Sequence, residues 1–146
     1  MLVLEDVYRL YISGLANLVL KDWDVACVQH DYKPKSKDKF LGQKQTIYPR
    51  KNWSSFMLFD CEACSVLTPD YVNKAGGLDL HQFAWTRSIG KLDPRWNNLI
   101  GEECEQPIAT SNNLHYTRGG PWFKPSDSPK ADRLWFAEKA AMLKAG

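Results

Sequence analysis

The stretch NLHYTRGGPWFK, residues 113–124, sets one of the chain's 3 histidines just ahead of two glycines and a Pro-Trp pair. A neutral imidazole at His115 suits a divalent metal, and Gly119 and Gly120 allow backbone N–H groups to approach an anionic ligand closely. The competing reading is a surface loop with a structural histidine, and the residues alone weigh the two evenly. A second polar set, PRKNWSS at 49–55, leads into the most apolar strand-like run. Arg50 and Lys51 suit a phosphate, while Asn52, Ser54 and Ser55 are the neutral hydrogen-bonding groups that hydroxyl-rich ligands need. A polar lead-in to a strand accounts for the same residues equally well.

Other groups point to less. Asp22-Trp23-Asp24 is formally a D-x-D pair of the kind that holds Mn²⁺ or Mg²⁺ on a nucleotide, but it precedes a strand instead of ending one, so it reads as a turn. Cys61 and Cys64 form one C-x-x-C, and Cys27 and Cys104 form no second pair, which favours buried reduced thiols over a zinc ribbon. The lysines from Lys33 to Lys44 read as a solvated loop. No phosphate-binding loop, dinucleotide fingerprint or nucleophile elbow is present, which leaves hydrolase and dehydrogenase readings without support.

These groups need a scaffold. At 146 residues, 44% hydrophobic and 25% charged, the chain has the size and composition of one globular domain. LEDVYRLYISGLANL has apolar residues at helical spacing and a stop at Gly14. DVACVQH predicts a buried strand over Val25–Val28, and WSSFMLFDC a strand from Phe56 to Phe59 covered on both faces. TPDYVNKAGG predicts a helix with Thr68 as N-cap, Pro69 in the first turn and Gly76-Gly77 as the stop. DLHQFAW begins another helix or irregular segment. ATSNNLHYT predicts a short strand running into the glycine loop. PKADRLWFAEKAAMLKAG predicts a closing amphipathic helix with Leu134, Phe136, Ala137, Ala140 and Leu143 on its inner side. This order of elements belongs to an α/β layer structure. The opening MLVL, with no earlier strand before it, reads as the start of the second half of such a fold. A net charge of +2 is too weak to imply nucleic acid. No apolar run reaches the ~20 residues of a membrane span, and no leader is evident, so the expected location is cytoplasmic.

Taken in order, VACVQHDYKPK, YPRKNWSSFMLFDC, LTPDYVN, LDLHQFAW, LDPRWNNLIGE and LHYTRGGPWF resemble the C-terminal half of bacterial and phage glycosyltransferases related to family eight, the glycogenin-like group. The resemblance implies a partial GT-A fold lacking its N-terminal nucleotide-binding strands, a nucleotide-sugar donor, a carbohydrate or other acceptor, and Mn²⁺ or Mg²⁺ in a full-length form. It implies His115 as a metal ligand and Gly119, Gly120 and Trp122 around the donor diphosphate. It implies Asn52 with Ser54 or Ser55 at the donor sugar, His81 and Gln82 near the transferred sugar, and Trp96 and Asn97 on the acceptor side. On this reading the chain by itself is expected to be inactive and to self-associate through an open sheet edge. The rival reading is a non-catalytic carbohydrate-binding or assembly module.

Overall fold

The computed structural model describes residues 2–3, 22–34, 38, 42, 44 and 46–145. The helix expected over residues 4–18 and part of the lysine loop lie outside the described residues. The described elements are β1 (Leu2–Val3), β2 (Val25–Cys27), β3 (Met57–Phe59), α1 (Pro69–Lys74), α2 (Gly77–His81), β4 (Ile89–Lys91), β5 (Asn98–Leu99), β6 (Asn113–His115) and α3 (Pro129–Ala145). Short 3₁₀ turns at Trp53–Ser55, Pro94–Trp96 and Ile108–Thr110 join them.

Two three-stranded mixed sheets result. In one, β2 lies between antiparallel β3 and parallel β4, with Ala26 opposite Leu58 and Gly90. In the other, β6 lies between antiparallel β1 and parallel β5, with Leu114 opposite Leu2 and Asn98. The α/β class is therefore observed. The finer expectation of a partial GT-A fold finds no support in these two small sheets.

Strand β2 shows why a short apolar run becomes a central strand. Its side chains alternate between faces. Val25 and Cys27 pack with Phe83, Trp53, Met57, Trp85 and Ile89, while Ala26 and its neighbour Val28 pack with Leu92, Trp96 and Phe56. Gly90, opposite Ala26, has the Trp23 ring against it; a Cβ there would overlap that ring. β3 departs from expectation. Met57 and Leu58 are only partly buried and Phe59 is exposed, because β3 is an edge strand and is not covered on both faces. The Asp22–Asp24 segment is a turn, as read from its position, and the Thr86 hydroxyl donates to the Asp24 carboxylate.

Helix α1 is capped as predicted: the Thr68 hydroxyl accepts from the Tyr71 N–H at 3.2 Å, and Pro69 fills the first turn. Neither α1 nor α2 buries a side chain fully, so both lie on the surface. Helix α3 anchors the second sheet, but with a different face from the one expected. Ala131, Leu134 and Trp135 pack on Ile100, Ile108, Leu114 and Tyr116, whereas Phe136 and Leu143 are exposed. Ser126 accounts for its start: the Asp132 carboxylate accepts from the Ser126 N–H at 2.8 Å and from its hydroxyl at 2.6 Å. Among the described residues no helix is long and apolar enough to cross a membrane.

Candidate functional site

Trp96-Asn97 leads into Asn98 at the start of β5, and the two asparagines are buried polar groups that must be satisfied. Asn98 is closed off locally: its amide N–H groups donate to Gln106 O at 2.9 Å and Ser111 Oγ at 2.7 Å, and its Oδ1 accepts from Gln106 N at 2.7 Å. Asn97 is fully buried and reaches across the molecule instead. Its Nδ2 lies 2.8 Å from Ser55 Oγ and 3.0 Å from His30 Nε2, and its Oδ1 lies 3.1 Å from His115 Nδ1. One amide thus joins β2's exit, the 3₁₀ turn ahead of β3, and the end of β6.

Hydrogen-bond bookkeeping fixes the protons. The Ser55 hydroxyl donates its single hydrogen to Asn52 O at 2.6 Å, so it must accept from Asn97 Nδ2. His30 Nε2 then accepts from the same amide and carries no hydrogen, which leaves the His30 proton on Nδ1, 3.9 Å from Cys104 Sγ. Asn97 Oδ1 can only accept, so His115 donates through Nδ1 and keeps a bare Nε2 lone pair. Both imidazoles are held neutral. Burial pushes His115 down to about 4, and burial followed by the neighbouring His115 pushes His30 down to about 4. Burial, opposed by a backbone hydrogen bond and reinforced by the carboxylates of Glu102, Glu103 and Glu105, raises the Cys104 thiol above its usual range.

An exposed rim adjoins this floor. Ser54 Oγ lies 2.7 Å from His81 Nδ1, and the Tyr48 ring stands 6.4 Å from the His81 ring. Asn52 donates to the Tyr32 hydroxyl, and Trp53 Nε1 donates to His30 O at 2.8 Å. Arg50 donates to Gln82 O at 2.6 Å, tying the 49–55 segment to the end of α2. Arg50, Asn52 and Phe83, the non-glycine residues with positive φ among those described, all sit in these two joined segments. Asparagine tolerates that region, but for Arg50 and Phe83 it is unfavourable, and such outliers concentrate where function constrains the backbone.

The structure thus joins Asn52, Ser55, Asn97 and His115 in one hydrogen-bonded network, while Ser54 with His81, and Arg50 with the Gln82 carbonyl, form separate pairs beside it. Other sequence candidates fall elsewhere. Trp96 is buried and stacks on Phe56 at 6.4 Å between centroids, so it is a core residue and offers no acceptor surface. Trp122 lies against Trp135 of α3 with centroids 4.7 Å apart. Gly120 has the Trp122 ring where a Cβ would be, so its need for glycine comes from ring packing. Gly119 has φ 96°, a turn conformation. Arg118, beside it, donates to Gly101 O at 3.1 Å and is paired with Asp127. The loop is folded onto α3, away from the Asn97 network. His30, Tyr32 and Tyr48 are site residues that sequence reading missed. For His30 the available signal was its position just past the carboxyl end of the buried strand β2, where ligands gather in α/β sheets.

Among the described residues no three His, Cys, Asp or Glu side chains are placed to hold a metal ion. His115 offers one nitrogen without hydrogen, and the Asn97 amide and the Ser55 hydroxyl lie beside it in the network.

No family model matches this chain, and no solved structure does. The chain is similar to Protein CDI of Arabidopsis thaliana, 39% identical over 141 residues that cover 92% of this chain and 54% of that protein. It spans about half the length of the curated relative it matches. These findings overturn the resemblance to glycogenin-like glycosyltransferases. The relative is not named as a glycosyltransferase and no family model supports the relationship, so neither the family assignment nor the sugar-transfer activity drawn from it holds. The quoted motifs were short Asn-, Trp-, His- and Gly-containing segments. Several of them have local structural explanations, in Trp96 packing, Gly120–Trp122 stacking and the buried Asn98.

Proposed function

We propose that this chain is a binding module for a small, uncharged, hydroxyl-bearing ligand of saccharide or polyol type, seated on the rim formed by Tyr48, Ser54 and His81 above the Asn97 network. The observation that carries this reading is the Ser54–His81 hydrogen bond beside the Tyr48 ring, next to the segment that Asn97 anchors through Ser55. Preorganised neutral donors and acceptors beside aromatic rings match hydroxyl groups and the apolar faces of a sugar ring. The nearby cations are already engaged: Arg50 on Gln82 O and over the Trp53 ring, Lys51 on Thr46 O and over the Tyr48 ring. That favours an uncharged ligand over a phosphate.

The test is an imidazole-resolved NMR titration at neutral pH with monosaccharides, short oligosaccharides and glycerol, using a nucleoside diphosphate as the anionic control. The reading requires His81 and His115 to shift with a hydroxyl-bearing ligand at millimolar concentration, and Ser54→Ala to weaken that binding without altering the circular dichroism. Shifts with the anionic control alone, or none with any member of the panel, would overturn it.

A further inference from the structure

The surface around α3 carries large apolar side chains that the fold does not bury. Trp122 is 47% exposed, Phe123 55%, Phe136 47% and Leu143 68%. Phe136, Ala140 and Leu143 recur at helical spacing and form a stripe on the open side of α3, while Trp122 and Phe123 continue the apolar surface from the preceding loop. Exposed apolar area of this kind marks an interaction surface.

Its charge indicates the partner. Lys124, Lys130, Arg133, Lys139 and Lys144 are exposed on the same loop and helix, and none makes an ion pair among the described residues. The acids there are largely withdrawn: Asp132 is buried on Ser126, and Asp127 is paired with Arg118, which leaves Glu138. Lys139 is exposed and its ammonium lies over the Trp135 ring, with Nζ 5.6 Å from the centroid, so cation and indole share this surface. A second copy would bring one cationic surface against another. Indole and phenyl rings interleaved with lysines instead match the boundary between lipid headgroups and acyl chains.

We infer that the Trp122–Phe123 loop and the outer face of α3 form a peripheral docking surface for anionic lipid bilayers. The helix lies in the interface plane, Phe136 and Leu143 enter the acyl boundary, and the lysines meet anionic headgroups. This inference is independent of the saccharide site, which uses other elements.

The experiment is co-sedimentation of the full chain with vesicles of phosphatidylcholine and phosphatidylserine, against vesicles of phosphatidylcholine alone, at low and high salt. Binding should require phosphatidylserine and weaken with salt. The Lys139→Glu/Lys144→Glu variant should lose at least about fivefold in apparent partitioning per cation removed. Phe136→Ser/Leu143→Ser should also lose binding, and because both residues are exposed, its thermal midpoint should match the parent. Equal binding to both vesicle types, or no binding to either, overturns the inference. A concentration-dependent dimer that Phe136→Ser/Leu143→Ser dissociates, without vesicle binding, would assign the surface to self-association instead.

Discussion

Acidification should unlock the Asn97 network, and its cost follows from the two imidazoles. In the folded chain His115 and His30 are both lowered from 6.5 to about 4, chiefly by burial. Below the unfolded value the unfolded chain binds the protons that the folded chain refuses. Stability from these groups is therefore complete above about pH 6.5, falls as pH drops toward 4, and is lost below that. A displacement of this size is worth at most about 3 kcal/mol for one imidazole, of which about 2 kcal/mol is already lost at pH 5. For a chain of this length that corresponds to roughly 4–8 °C in Tm for each histidine. The assay is thermal unfolding followed by circular dichroism from about pH 7.5 to about pH 5. His115→Gln keeps an amide N–H for Asn97 Oδ1 but cannot titrate, so its Tm should fall less over this range, by about 4–8 °C, than that of the parent. The same pH slope in the parent, His115→Gln and His30→Gln would refute the reasoning, because carboxylates elsewhere would then carry the whole dependence.

Asn97→Asp should raise both imidazole pKa values, since a carboxylate within hydrogen-bond distance stabilises the imidazolium, and NMR titration of the two rings reads this directly. Gly120→Ala should displace the Trp122 ring from Trp135 and cost about 1–3 kcal/mol in urea unfolding, because the new methyl occupies the ring's position. Cys64→Ser should cost less than about 1 kcal/mol, since the hydroxyl can keep the donor bond that the thiol makes to Asp24 O at 3.0 Å; a larger loss in the same unfolding assay would mean the sulfur packs more than it donates. Leu114→Ala should cost about 2–5 kcal/mol by the same measurement, because Leu114 is fully buried in the centre of the β6 sheet.

What the sequence made legible follows the physics of each signal. The α1 cap was readable because Thr-Pro-Asp acts through local backbone geometry, and β2 because a short apolar run bounded by charge has few other places to go. The buried side of α3 differs from the expected stripe, sharing only Leu134 with it. Apolar spacing allowed a stripe through Phe136 and Leu143, but Ala131 and Trp135 are what the second sheet receives, and periodicity carries no information about which side a neighbour approaches. At the site, the hydrogen bonds join Asn52, Ser55, Asn97 and His115, residues whose types stand out in the sequence, whereas Ser54 pairs with His81 apart from them. Their roles came from an analogy that fails, and the hydrogen bonds of Asn97 to His30 and Ser55 span 67 and 42 residues of sequence, which no local pattern encodes. Gly120 was read as room for a ligand, and it proves to be room for Trp122.

The central claim is that burial keeps His30 and His115 neutral while the Asn97 amide fixes each in one tautomer. Long-range proton–nitrogen correlation of the imidazole rings at neutral pH tests it directly. Both rings should be uncharged, with hydrogen on Nδ1 and none on Nε2, unchanged down to about pH 5. Either ring appearing as imidazolium at neutral pH, or His115 carrying its hydrogen on Nε2, would contradict it.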